Sequence, residues 1–150
     1  MASLPNTKVT PKTWDKKYPL SDLPVDKTWD GEYLKSYSCV GFAKMVLDAT
    51  YGTGSAIGAA PTSGTYTTSD TSKLATALGS YSVGDRITFQ FRGKTGDYDQ
   101  HSMIITKKGT SDIEVYDCNS DNKGTIKKYT ITHTTLLTKY DKIRGGVKHK

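Results

Sequence analysis

A thiol, an imidazole and a carboxylate stand in this chain at Cys39, His101 and Asp117, the residue types that acyl transfer needs. A thiol attacks a carbonyl only as thiolate, so it needs a base, and the base needs a third group to fix its tautomer. Cys39 lies near the start of the run 38–48, where Val40, Ala43, Val46 and Leu47 recur at helical spacing and Phe42 and Met45 widen the apolar stripe. Ser36 or Ser38 can cap that helix, and Gly52 lies where it should stop. The first turn of a helix carries the positive end of its dipole, which favours thiolate at Cys39. His101 opens a strand on the face shared with Met103 and Ile105. The chain returns through a connection short enough for an antiparallel hairpin, so His101 should lie beside the far end of the returning strand. On that strand Ile113, Val115, Asp117 and Asn119 alternate onto one face, and Glu114, Tyr116 and Cys118 onto the other. Asp117 or Asn119 can therefore accept the imidazole N–H. Cys118 points away, which argues against a Cys39–Cys118 disulfide.

Each of these residues also has an ordinary role. A buried cysteine is often structural or half of a disulfide, a strand-end histidine faces solvent, and Asp and Asn favour turns. Their joint placement shifts the balance towards chemistry: thiol at a helix start, imidazole at a strand start, acid or amide at the end of the neighbouring strand. His133 and His149 have no comparable orienter. The three histidines and two cysteines are scattered without ligand spacing, so neither a metal nor another cofactor is expected.

The surrounding elements must hold these groups in place. Residues 1–30 carry Pro5, Pro11, Pro19 and Pro24 and read as an extended N-terminal arm, anchored by Trp14, Tyr18 and Trp29; residues 31–150 read as the catalytic domain. Residues 52–68, rich in Gly, Ala, Ser and Thr, read as a long flexible loop fit to rim a groove. Ser69 or Asp70 should cap a short helix over 71–78, with Leu74, Ala77 and Leu78 inward and Gly79 at its end. Strands follow over 86–92, 101–106, 113–118, 126–131 and 143–147, with helical turns over 134–140. In the first of them Ile87, Phe89 and Phe91 share one face. Helices first and an antiparallel meander afterwards make an α+β fold.

The chain has 150 residues and a net charge of +6, enough length for a real core and a balance that suits a polyanionic partner. Its basic residues are dispersed and no nucleic-acid recognition signature occurs, so nucleic acid is not the expected partner. No apolar run approaches the ~20 residues of a membrane span, so no membrane insertion is expected. Residues 1–5 lack the basic start and apolar core of a leader, which fits a leader trimmed away.

Four short blocks carry a family resemblance: Cys39-Val40-Gly41-Phe42-Ala43-Lys44-Met45-Val46, Val83-Gly84-Asp85-Arg86-Ile87-Thr88-Phe89, His101-Ser102-Met103-Ile104-Ile105 and Glu114-Val115-Tyr116-Asp117-Cys118-Asn119. In this order they resemble the cysteine, histidine-dependent amidohydrolase/peptidase (CHAP) domain, of the papain-like group that also holds the NlpC-type endopeptidases. The resemblance covers residues 36–147 and leaves the arm outside. It implies a papain-like fold, with an N-terminal helix bearing the cysteine packed on an antiparallel meander. It implies Cys39 as nucleophile, His101 as base and Asp117 as the third residue, with Asn119 two positions on. The implied activity is cleavage of amide bonds in bacterial peptidoglycan by a secreted or wall-associated enzyme, expected to be a monomer. The family's Gln before the nucleophile is Ser38 here, which leaves the backbone N–H of Cys39 as oxyanion donor. Two other readings use the same residues: a papain-like protease or isopeptidase acting on proteins, and a non-catalytic wall-binding module.

Overall fold

The aromatics of the N-terminal segment need apolar cover, and among its described residues Val9, Trp14, Tyr18 and Trp29 find it against the first helix. The computed structural model describes residues 8–11, 14, 18–29, 31–53, 56–96, 98–120 and 123–149; residues 1–5, with Pro5, and positions 54–55 of the expected loop lie outside them. β1 (Lys8–Val9) and β2 (Thr28–Trp29) pair in parallel, with a 3-10 turn, Leu20–Asp22, between them. β3 (Glu32–Tyr33) and β4 (Ser36–Tyr37) make a tight hairpin whose turn residues Leu34 and Lys35 have φ of 50° and 63°. Positive φ at both positions matches the twist of a two-residue hairpin. The hairpin runs straight into α1 (Ser38–Tyr51), which stops at Gly52 with φ of 99°. β5 (Ala56–Ala59), α2 (Thr71–Leu78), β6 (Arg86–Phe91), β7 (Gln100–Lys108), β8 (Asp112–Cys118), β9 (Ile126–Thr132), α3 (His133–Lys139) and β10 (Tyr140–His149) follow.

Among the described residues six strands form one antiparallel sheet in the order β5-β10-β6-β7-β8-β9. β6 to β9 are a meander, and β10 returns after α3 to pair with β6. The protein is thus α+β, with three α-helices among the described residues. Strand alternation divides the apolar residues between two faces. On one face Ile104, Tyr116, Cys118 and Ile126 pack against Phe42, Ala43, Val46 and Leu47 of α1, and the arm closes over them. Trp14, Tyr18 and Trp29 are each at most 6% exposed, and both tryptophans meet Phe42 edge-on, at 6.0 and 5.3 Å between ring centroids. On the other face Ile87, Phe89, Met103, Ile105, Ile113 and Val115 pack against Leu74 and Leu78 of α2 and Leu136 and Leu137 of α3.

Several expectations shift in detail. The stretch 52–68 is not all loop: Ala56–Ala59 pairs with β10 at the sheet edge. All four of its residues are exposed, so nothing in their side chains marks a strand and backbone pairing alone selects it. Phe91 leaves the apolar face it begins on and is 39% exposed, because β6 ends there. Asp70 starts α2 without capping it; its carboxylate instead accepts the Thr67 N–H at 2.7 Å. Ser36 likewise belongs to the hairpin, where its Oγ accepts from Lys44 Nζ at 2.8 Å, and Ser38 is the first helical residue.

Candidate active site

The ladder between β7 and β8 sets the site by where it stops. Its last described pair at that end is Ile104↔Tyr116. Beyond it His101 and Ser102 still pair with β6, and Asp117 and Cys118 with β9, but the β7–β8 ladder no longer joins the two strands. Ser102 donates its N–H to Cys39 Sγ at 3.4 Å. The thiol therefore docks where the β7–β8 ladder has stopped and the Ser102 N–H is left without a strand acceptor.

Cys39 occupies the first turn of α1, which packs against β7 and β8, and it is 8% exposed. Ser38 before it has φ of 52°, in the left-handed region. Gly41 one turn on allows the close approach of helix and hairpin, since a Cβ there would lie 2.2 Å from Ser36 O. His101 is 4% exposed, and its Nε2 meets Asp117 Oδ2 at 2.6 Å. The imidazole also lies within hydrogen-bonding reach of the Cys39 thiol. With Nε2 on the acid, Nδ1 is the nitrogen left for the sulfur. Asp117 is 1% exposed, and the same Oδ2 accepts a second bond, from Tyr129 Oη at 2.6 Å. Its Oδ1 is buried without a hydrogen-bond partner.

The charges follow from these contacts. Burial pushes the Cys39 thiol up, but the hydrogen bond and charge of His101 and the Ser102 N–H outweigh it, and the thiol titrates below its usual value. Burial pulls His101 down, and the bond to Asp117, with the thiol's help, raises it to about 9. At neutral pH His101 is therefore imidazolium, and its charge favours the thiolate form of Cys39 beside it. Tyr129 is pushed far up by burial and by Asp117, so its phenol stays protonated and donates.

Asn119 stands apart from this chain of contacts. It leaves β8 with φ of 69°, so the strand alternation that would put it beside Asp117 ends at Cys118. Its Nδ2 donates to Ser38 Oγ at 3.0 Å and its Oδ1 accepts the Gly124 N–H at 2.8 Å. The amide thus ties the turn after β8 to the residue before the thiol. Cys118 faces α1, and both cysteines are buried, with no disulfide between them.

No family model, no curated protein and no solved structure matches this chain. Its chemistry is read from the site itself. A cleft of about 450 Å³ opens over the thiol between Ser38, Phe91, Tyr98, His101 and Asn119. Tyr98 is fully exposed at its rim. The described residues of 52–68 do not line this cleft; Ala60 and Tyr66 pack on the far face of the sheet. A larger cavity, about 730 Å³, lies at the β9 edge between Asp22, Asp26, Lys127, Lys128, Tyr129 and Lys139, away from the thiol. Tyr129, Ser102 and Asn119's true partners were not readable as site contacts in the sequence. Tyr129 faces the same side of the sheet as Asp117, but only the register Val115↔Tyr129 puts it there.

Proposed function

We propose that this protein is a papain-like cysteine amidase or endopeptidase of the CHAP type, acting on bacterial peptidoglycan. The observation that carries the reading is the buried bond from His101 Nε2 to Asp117 Oδ2 at 2.6 Å, next to a Cys39 thiol that accepts the N–H of Ser102, the neighbour of His101, with the thiol lowered and the imidazole raised. The four sequence blocks supply the family analogy, and the net charge of +6 suits an anionic wall.

In the mechanism Cys39 thiolate attacks the amide carbonyl carbon, and the carbonyl electrons move to oxygen. The Cys39 N–H, at a helix start where no helical carbonyl accepts it, faces the developing oxyanion. His101, already protonated, gives its proton to the leaving amine as the C–N bond breaks and a thioester forms. Neutral His101 then takes a proton from water, which attacks the thioester and releases the acid and the thiolate. Asp117 holds the ring in register and stabilises its cationic form, and Tyr129 holds Asp117. A wall substrate lies outside the membrane, so the proposal includes a secreted or wall-associated location.

The test is incubation of purified walls with the protein and with Cys39→Ala, followed by mass spectrometry of released muropeptides. New amine and carboxyl ends from the wild type alone are the expected result and name the scissile bond. Turnover of casein with intact walls would assign the same residues to a protein substrate.

A further inference from the structure

Across three strands on the α1 face of the sheet, small residues fall into one row. Gly145 of β10 lies opposite Thr88 of β6, and Thr88 lies opposite Ser102 of β7. The Thr88 and Ser102 hydroxyls bond at 2.7 Å, and Ser102 is the residue whose N–H meets Cys39 Sγ. The row is a trough that begins beneath the thiol. It opens into a cavity of about 260 Å³, bounded by Val40, Arg86, Gln100 and Arg144. A Cβ added at Gly145 would meet nothing within 4 Å, so the trough is open at that point.

Two guanidinium groups wall this cavity. A register shift between Ile143 and Gly145 accompanies Arg144, and Gln90 braces it: Arg144 Nη1 donates to Oε1 at 2.9 Å. Arg86 is different. It is half-buried, and among the described residues its side chain makes no hydrogen bond or ion pair. It nevertheless stands close enough to Cys39 for their charges to interact. Partial burial of a cation without an acceptor costs free energy that no contact within the fold returns. A planar carboxylate is the group a guanidinium fork fits best.

We propose that this cavity is a carboxylate subsite: Arg86, seconded by Arg144, binds an acidic group of the substrate beside the carbonyl that Cys39 attacks. The assignment rests on Cys39 as nucleophile and names the substrate class more narrowly. The preferred peptide carries a free carboxylate next to the scissile bond, and its carboxamide counterpart is a poorer substrate.

Two alkylating reagents of nearly equal size test the subsite without requiring hydrolysis. Iodoacetate and iodoacetamide both transfer their CH2 carbon to the thiolate sulfur and release iodide, but only iodoacetate carries a carboxylate. Rates are followed by mass spectrometry of the peptide containing Cys39. Arg86→Gln should lower the ratio of iodoacetate to iodoacetamide rates about tenfold, the loss expected for one charged hydrogen-bonded contact. Gly145→Leu, which fills the trough, should lower the same ratio and serves if Arg86→Gln does not fold. A ratio unchanged in the folded variants overturns the subsite. Wall hydrolysis with an unchanged ratio discards the subsite and keeps the hydrolase. A ratio that collapses in a protein that cleaves no wall keeps the subsite and discards the wall as substrate. With hydrolysis in hand, Arg86→Gln should raise KM for acidic peptides and leave that for their carboxamides within about twofold.

Discussion

His101 and His133 are buried to the same degree, 4% and 5% exposed, yet they end in opposite charge states. His101 has a carboxylate at 2.6 Å and a thiol within reach, and it is raised to about 9 in spite of burial. His133, at the start of α3, has a buried Nε2 without a partner; burial pushes its pKa down and the charge of Asp112 only partly opposes it. Burial alone therefore makes a neutral imidazole. A cation at neutral pH has to be assembled from hydrogen-bonded partners, which is what β8 and α1 bring to the end of β7.

The comparison can be broken first at the thiol. Cys39→Ala should abolish wall hydrolysis while the melting curve moves by no more than about 1 kcal/mol in stability, since thiol to methyl is a small change of volume. Retained muropeptide release would remove the basis of the mechanism. His101→Ala should be nearly as inactive, because such residues act as a unit. It should also cost about 3 kcal/mol in urea unfolding, since Asp117 keeps its burial and loses its cation.

Asp117→Asn sharpens the contrast by making His101 more like His133. Without the carboxylate the imidazolium is less stable, so the alkaline limb of kcat/KM, set near pH 9 by His101 in the wild type, should move to lower pH. Asn119→Ala should cost less than Asp117→Ala and leave that limb in place, because its amide serves Ser38 and Gly124. Tyr129→Phe should move the limb the other way. Asp117 freed of the phenol's hydrogen bond turns Oδ2 to His101 alone and holds the imidazolium more firmly; the lost bond should lower stability by about 1–2 kcal/mol. An alkaline limb that shifts in the same direction in Asp117→Asn and Tyr129→Phe would contradict this account. The smallest effect belongs to His133→Gln, which should leave activity unchanged. Its folded pKa is depressed, so below the unfolded value of about 6.5 the unfolded chain binds more protons and stability falls with pH. The variant should lose that part of the acid sensitivity in melts taken from pH 7 to 5.

Periodicity made much of this fold legible. The 3.6-residue stripe from Val40 to Leu47 and the helix over 71–78 closed by Gly79 were plain, as was the alternation in the four meander strands, because each is a local pattern with a stop signal. β5 was not, since Ala56–Ala59 has no buried side and is held by pairing with a strand some 90 residues later. The same limit applies at the site. Strand parity put Asp117 and His101 on one face, but Asn119 followed the parity only as far as the strand lasted, and its positive φ ended it. Tyr129 and Arg86 depended on cross-strand register, which ten tyrosines and dispersed cations could not reveal.

The segment ahead of α1 is stitched to a turn a hundred residues away. Asp26 N–H donates to Ile126 O at 2.9 Å, Ile126 N–H to Lys27 O at 2.7 Å and Trp29 N–H to Gly124 O at 2.9 Å, while Tyr116 donates its hydroxyl to Pro24 O. Closing so long a loop costs chain entropy before any contact rewards it. The meander that carries His101 and Asp117 needs no such closure. The order of assembly during refolding should follow: base and acid gathered early by neighbouring strands, nucleophile delivered last, when the strap closes over α1. Until then the thiol is a solvent-exposed cysteine with no imidazole beside it. In a refolding experiment with pulsed iodoacetamide, Cys39 should pass from the reactivity of an unfolded thiol to that of the site only after the far-UV signal of the sheet has recovered.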